Sequence, residues 1–75
     1  MDYIFLTDKL LKIANGLPKG TVFIIRDLVI KGGFEAKWDK FSNKSWVGRL
    51  FYQKKSDNII LIREDPRPTM YKKVK

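Results

Sequence analysis

The sequence contains no cysteine and no histidine. Disulfide cross-links and the thiolate and imidazole ligands of zinc sites are therefore excluded. A domain of 75 residues hides only about 60% of the surface that its unfolded chain exposes, so we expect it to be marginally stable. Because disulfides and such zinc sites are excluded, its core must be purely hydrophobic. Hydrophobic residues make up 44% of the chain and aromatic residues 13%, which favours a folded domain over a disordered basic tail. We expect one domain over residues 1–75, with no metal and no cofactor.

Long apolar runs and catalytic side chains are also missing. No apolar run approaches the roughly 18 residues that a membrane span needs, and the acidic Asp2 does not suit the positive start of a signal peptide. We therefore expect a soluble, cytoplasmic protein with no membrane partner. No histidine is present to act as a base, and no glycine-rich phosphate loop matches a Walker or Rossmann pattern. The sequence predicts a protein that is not an enzyme.

Positive charge is abundant and unevenly distributed. Sixteen Lys and Arg against eight Asp and Glu give a net charge of +8 and a pI near 9.9. Residues 1–41 carry seven basic and five acidic side chains, net +2, whereas residues 42–75 carry nine basic and three acidic, net +6. A basic surface of this kind attracts polyanions such as DNA and RNA, although many small basic proteins bind neither.

The N-terminal part of the chain predicts a helix, a turn and a short strand. Apolar residues recur at three- and four-residue spacing within Asp2–Asn15, and Gly16 is placed to close this helix in a left-handed conformation. Leu17–Gly20 predicts a turn, because proline cannot donate a backbone hydrogen bond and glycine adopts positive φ. Thr21–Ile25 is rich in β-branched and aromatic residues and predicts a strand.

Two further helices are predicted in the middle of the chain. A short helix begins at Arg26, with Asp27 in its first turn, and ends at the Gly32-Gly33 pair. Whether residues 34–41 resume as helix is open at this stage. Another helix begins after Ser42 or Asn43 and runs to about residue 56.

The C-terminal part predicts a β-hairpin. Residues 58–63 and 69–74 form two strands, and the loop between them, residues 64–68, holds two prolines that bar regular pairing. The resulting order predicts an α+β winged helix-turn-helix fold. In this fold three helices carry a small antiparallel sheet, formed by the C-terminal hairpin wing and the early strand.

A longer sequence pattern supports the same fold. The segments Leu17–Leu28 and Gly48–Tyr52, with Trp38 between them and Tyr71-Lys72-Lys73 near the end, resemble a family of short bacterial proteins of unknown function. Their pattern is Leu-Pro-x-Gly-x-x-Phe-x-x-basic-Asp-Leu, then Trp, then Gly-(Arg or Lys)-x-Phe. Members are often carried on phages and other mobile elements. The resemblance covers most of residues 17–73 and implies a winged-helix fold and work in the regulation or replication of mobile DNA.

Candidate contact residues lie on the third predicted helix and on the hairpin. At about 100° per residue, Trp46, Val47, Leu50 and Phe51 share a packing face, opposite Ser45, Gly48, Arg49 and Tyr52. Arg49 is the best candidate to read a base, because its guanidinium can bond to both O6 and N7 of guanine. The other candidates are Asn43, Lys44, Ser45, Tyr52 and Lys55 on the helix, and Arg63, Arg67, Lys72 and Lys73 on the hairpin.

Simpler explanations exist for the same residues. The helix face could be solvated, with Arg49 paired to an acid, and the hairpin charges could protect an exposed sheet edge. If four to six of these charges neutralise phosphates, log K falls with log salt at a slope of about −4 to −5 for duplex DNA.

The aromatic residues could form a base-stacking platform for single strands. Core packing is the stronger explanation, because a domain this small needs its aromatic side chains inside. Phe34 and Trp38, beside the glycine pair, are the expected exceptions, whereas Phe41, Trp46 and Phe51 are expected to pack.

We therefore expect a DNA-binding regulator or replication accessory factor of a mobile element, with duplex DNA favoured over single-stranded DNA. A second hypothesis is an adaptor subunit that binds a larger replication or nucleic-acid-processing enzyme, since winged helices also bind proteins. A third is RNA or ribosome binding. The sequence favours a monomer or a small subunit of a complex over a dimer.

Overall fold

A computed structural model of the chain describes residues 3–66 and 68–75, and it shows an α+β fold. The elements in these ranges are helices α1 (Tyr3–Asn15), α2 (Ile25–Gly32), α3 (Glu35–Asp39) and α4 (Lys44–Lys54), and strands β1 (Val22–Phe23), β2 (Ile59–Arg63) and β3 (Met70–Lys73). The strands form one antiparallel sheet in the order β1-β3-β2. The α+β class, the C-terminal hairpin and the early strand beside it are confirmed, and the arrangement is compatible with a winged helix.

Helix α1 is amphipathic, as predicted, and Leu6, Leu10 and Ala14 are fully buried on one side. The left-handed cap predicted at Gly16 is wrong, because the glycines with positive φ are Gly20 and Gly33. Instead α1 ends in tight i→i+3 hydrogen bonds, such as Gly16 N–H to the Ile13 carbonyl at 3.1 Å. Within the described ranges, no helix is long and apolar enough to cross a membrane.

Strand β1 is shorter than the sequence predicts, because Ile25 already belongs to α2. The Asp27 carboxylate accepts a hydrogen bond from the Ile24 N–H at 2.9 Å, which satisfies a free donor at the start of α2. At the other end Gly33 has φ 75°. The Gly33 N–H bonds to the Ile30 carbonyl and the Phe34 N–H to that of Val29, which is a Schellman motif. The predicted stop at the glycine pair is confirmed.

The segment that was open at the sequence level forms α3, so the described chain has four helices where three were predicted. Trp38 on α3 is buried, with its ring edge-on to Phe41 at a centroid distance of 6.4 Å. Phe34 is half-buried and packs against the core. The expectation that Phe34 and Trp38 escape the core is therefore wrong, and α3 serves to bring the Trp38 ring inside.

The centre of the core is a cluster of three rings from the sheet and α4. Tyr71 stacks on Phe23 at 5.8 Å and meets Phe51 at 5.0 Å between ring centroids. All three side chains are at most 2% exposed. The cluster fixes α4 over the inner face of the sheet, which sets the position of the surface described next.

Candidate nucleic-acid interface

An open groove with a volume of about 1370 Å³ runs along the outer face of α4. We call it the α4 groove. One wall is α4 itself, and the hairpin lies opposite, contributing Leu61, Glu64, Pro68, Thr69 and Tyr71. The start of α2 and the ring of Trp38 complete the lining. The two parts of the chain in which the sequence places its candidate contacts, the third predicted helix and the hairpin, thus face one another here.

The α4 wall contains the predicted outer face and also a residue that was expected to pack in the core. Ser45, Gly48, Arg49 and Tyr52 all line the groove. Trp46 lines it too, although it was expected to pack in the core, and its side chain is 42% exposed. The reason is geometric: Val47 and Phe51 are the residues of α4 that are buried in the core, and Trp46 lies at the boundary between the two faces of α4.

Among the described residues, three cations line the α4 groove, and their partners differ. The Arg49 guanidinium lies 5.5 Å from the centroid of the Trp46 ring and forms no ion pair within the described chain. The Lys44 ammonium donates to the Phe41 carbonyl at 3.2 Å. Arg26, which the sequence reasoning did not single out, meets Asp39 at 3.9 Å in an exposed pair, and such pairs are weak. Arg49 is thus the cation most available to an anion.

The floor of the α4 groove is polar because of Tyr71. Its ring is packed in the core and its side chain is only 2% exposed. Its hydroxyl makes no hydrogen bond to another described residue. Every polar side-chain atom that is fully buried in the described chain does have a hydrogen-bond partner, so the Tyr71 hydroxyl is not fully buried. The hydroxyl is therefore the part of Tyr71 that opens to the groove. Burial raises the pKa of this hydroxyl, and the charge of Glu64 and then Tyr52 raise it further.

The remaining helix candidates make local contacts. The Ser45 hydroxyl donates to the Asn43 side-chain oxygen at 2.6 Å, and both residues line the α4 groove. Asn43 precedes α4 as predicted, but its side chain caps no backbone N–H. Lys55 lies outside the groove lining. Its ammonium donates to the Ile59 carbonyl at 3.0 Å and lies over the Tyr52 ring, so it fastens the end of α4 to β2.

The basic residues of the hairpin do not gather in the α4 groove. Lys73 is buried, and its ammonium donates to the Leu17 carbonyl at 3.1 Å, so its expected role in nucleic-acid contact is wrong. Lys72 is exposed but lies on the sheet face opposite Tyr71, since successive strand residues point to opposite sides. Arg63 is exposed at the end of β2, outside the groove lining. Arg67 lies outside the described residues.

One feature of this surface could have been predicted from the sequence, and another could not. Strict alternation along Met70–Lys73 places Tyr71 and Lys73 on one side and Lys72 on the other. A run of adjacent basic residues in a strand therefore never forms one basic face. The contributions of Arg26 and Glu64 depend on how α2 and the hairpin pack around α4, and no local pattern encodes that.

Comparison of the chain with protein-family models, with curated proteins and with solved structures found no match. The family resemblance seen in the sequence therefore stays a prediction. Within residues 3–66 and 68–75, no group of three or more acidic side chains is arranged to hold a metal ion. The site must be interpreted from its own geometry.

Proposed function

We propose that this chain is a DNA-binding protein of the winged-helix type that receives its ligand in the α4 groove. The observation that carries the proposal is the Arg49 guanidinium, which is exposed on the groove wall with no carboxylate partner in the described chain. Lys44 and Arg26 line the same groove. An arginine in this position can bond a phosphate through two N–H groups or read a base edge.

Charge and size both favour a polymeric polyanion as the ligand. The part of the groove lining that the structure describes carries three cations and one carboxylate, Glu64, in a chain whose net charge is +8. Its volume of about 1370 Å³ exceeds the range of about 300–1,000 Å³ typical of small-molecule sites. A segment of nucleic acid fits these properties better than a free nucleotide.

The salt dependence of binding follows from the cations that line the groove. Because Lys72 and Lys73 lie elsewhere, we expect about three neutralised phosphates in place of four to six. The slope of log K against log salt is then about −3 for duplex DNA and about −2 for a single strand. A slope near zero would contradict the proposal.

The direct test compares two variants that remove the same charge. Arg49→Gln should lower the affinity for DNA by about 5-fold to 150-fold, the range expected for loss of a specific arginine contact. Lys72→Gln should change the affinity by less than about 3-fold, because a charge that distant acts only through a screened field. Fluorescence anisotropy with labelled duplex and single-stranded oligonucleotides at two salt concentrations measures both. Equal losses, or no DNA binding by the unaltered chain, would refute the proposal.

A role in regulation or replication of mobile DNA, in the cytoplasm, is the wider form of this proposal. The second candidate is the adaptor, favoured by the outer face of the sheet, where Val22, Ile60 and Ile62 are 46%, 44% and 48% exposed. Apolar residues grouped on one surface are typical of protein contacts. An adaptor would keep its partner in the Arg49→Gln variant and lose it in an Ile60→Lys variant, as measured by co-purification with a tagged chain.

A further inference from the structure

The α4 groove carries two exposed aromatic rings in addition to its cations. Trp46 is 42% exposed and Tyr52 is 51% exposed, and both line the groove. Arg49 lies between them in the helix, three residues from each. A small domain gains stability by burying its aromatic residues, and the rings of Phe23, Phe51 and Tyr71 do so here. Two rings left beside a cation in a groove form the kind of surface on which unpaired bases stack.

The floor of the groove offers hydrogen bonds that nothing in the described chain uses. The Tyr71 hydroxyl makes no hydrogen bond to another described residue, and it can both donate and accept. Glu64 lies close enough for its charge to raise the pKa of Tyr71, and its carboxylate accepts hydrogen bonds. The pairing edge of a base presents donors and acceptors together. In a duplex that edge is occupied by the complementary base, and only an unpaired base can bring it to a recessed floor.

The shape of the site also differs from that of a helix that reads a major groove. In that mode the outer face of the recognition helix enters a channel about 12 Å wide. Here the outer face of α4 is one wall of a concave surface, and Leu61, Pro68 and Thr69 of the hairpin form part of the opposite wall. A single strand is narrow and flexible enough to lie between the two walls. A duplex would instead have to take α4 into its major groove, which is harder when α4 is one wall of a concave surface.

We infer that the α4 groove binds single-stranded DNA, with unpaired bases stacked on Trp46 and Tyr52, a phosphate on Arg49, and a base edge directed at the Tyr71 hydroxyl and Glu64. This inference rests on the proposed DNA-binding function and replaces its preference for duplex with a preference for single strands. The stacking is sequence-tolerant, because every base has a π face. The polar floor adds a preference among bases.

The test uses the full chain and one oligonucleotide in two forms, as a single strand and annealed as a blunt duplex. We expect the single strand to bind at least about 10-fold more tightly than the duplex and to quench tryptophan fluorescence. Trp46→Leu should lower the single-strand affinity by about 5-fold to 150-fold and reduce the quenching, and the signal that remains comes from Trp38, which is 7% exposed at the groove lining. The duplex affinity of this variant should stay within about 2-fold.

A second variant probes the floor of the groove. Tyr71→Phe removes the hydroxyl and keeps the ring that packs against Phe23 and Phe51. It should reduce the differences in affinity among the four homopolymeric single strands. Circular dichroism melts of both variants show whether the fold is retained.

The possible outcomes separate the two proposals. Tight binding of blunt duplex with no tryptophan quenching, and with Trp46→Leu unchanged, would overturn this inference and leave the proposed DNA binding in place. Failure to bind either form would overturn both. Tighter binding of single-stranded RNA than of DNA of the same sequence would overturn the choice of DNA as ligand.

Discussion

The two faces of the three-stranded sheet differ more than their shared strands suggest. On the inner face, Ile59 and Tyr71 are at most 2% exposed, and Tyr71 also forms the floor of the α4 groove. On the outer face, Ile60 pairs with Lys72, which in turn pairs with Val22, and all three are exposed. Neighbours in one strand therefore take opposite roles, one in the fold and one at the surface.

This difference shows how charge is distributed in a small basic protein. Lys72 and Lys73 are adjacent in the sequence, yet Lys72 faces solvent and Lys73 is buried beneath the Leu17 carbonyl. The net charge of a segment therefore overstates the charge of any one of its surfaces. In the described chain, the groove cations come from α2 and α4, and the exposed hairpin cations Arg63 and Lys72 lie outside the groove lining.

The largest expected effect comes from truncating an isoleucine on each face. Ile59→Ala should lower the free energy of unfolding by about 2–5 kcal/mol, because it leaves a cavity in the packed core. Ile60→Ala should cost less than about 1 kcal/mol, since the side chain is 44% exposed. Urea denaturation followed by circular dichroism measures both. Similar losses would mean that Ile60 is covered in solution and would contradict the difference between the two faces.

The two adjacent lysines of β3 should show a smaller difference in unfolding free energy, again with the larger loss for the buried residue. Lys73→Met keeps the aliphatic stem but removes the donor to the Leu17 carbonyl, which should cost about 1–3 kcal/mol of unfolding free energy. Lys72→Met should stay within about 0.5 kcal/mol. The same denaturation experiment compares them. A larger loss for Lys72→Met would contradict the assignment of the two side chains to opposite faces.

Much of this fold was predictable because its periodicities are local. The 3.6-residue pattern in α1, the glycine pair that ends α2 and the strand pattern of the hairpin each act within a few residues. The outer face of α4, with Arg49 and Tyr52, was found in the same way. These elements needed no knowledge of what packs against them.

Most of the wrong predictions concern residues for which tertiary packing decides between alternatives that the local sequence leaves open. Ile25 has strand propensity, yet the carboxylate of Asp27 fixes the start of α2 at that residue. Trp46 is apolar, but the core is already filled by its neighbours on α4. Lys73 is charged, yet the turn after α1 provides the Leu17 carbonyl that holds its ammonium inside. The outcome at Lys73 depends on a partner distant in the sequence and that at Trp46 on competition for one site, whereas the contact of Asp27 with Ile24 is local and could have been predicted from the sequence.

The smallest expected effect comes from replacing Gly48, and it distinguishes what the fold requires at this position from what a ligand requires. A Cβ built on Gly48 has nothing within 4 Å, whereas one on Gly32 would lie 2.5 Å from the Phe34 ring and 2.7 Å from the Ile13 side chain. Glycine inside a helix costs about 0.5–1 kcal/mol relative to alanine. The glycine at position 48 therefore costs stability, and no close contact within the described chain requires a glycine there. Close approach of the proposed ligand to the backbone of α4 in the groove would account for this residue.

Gly48→Ala should accordingly raise the free energy of unfolding by about 0.5–1 kcal/mol and lower the affinity for single-stranded DNA. Gly32→Ala serves as the control and should lower stability by about 1–3 kcal/mol through overpacking, with no specific effect on binding by the folded fraction. Thermal denaturation and anisotropy titration of the two variants give both quantities. A Gly48→Ala chain that is more stable and binds as tightly as the original would show that the ligand does not approach α4 at this point. The stacking surface would then have to lie nearer to the hairpin wall.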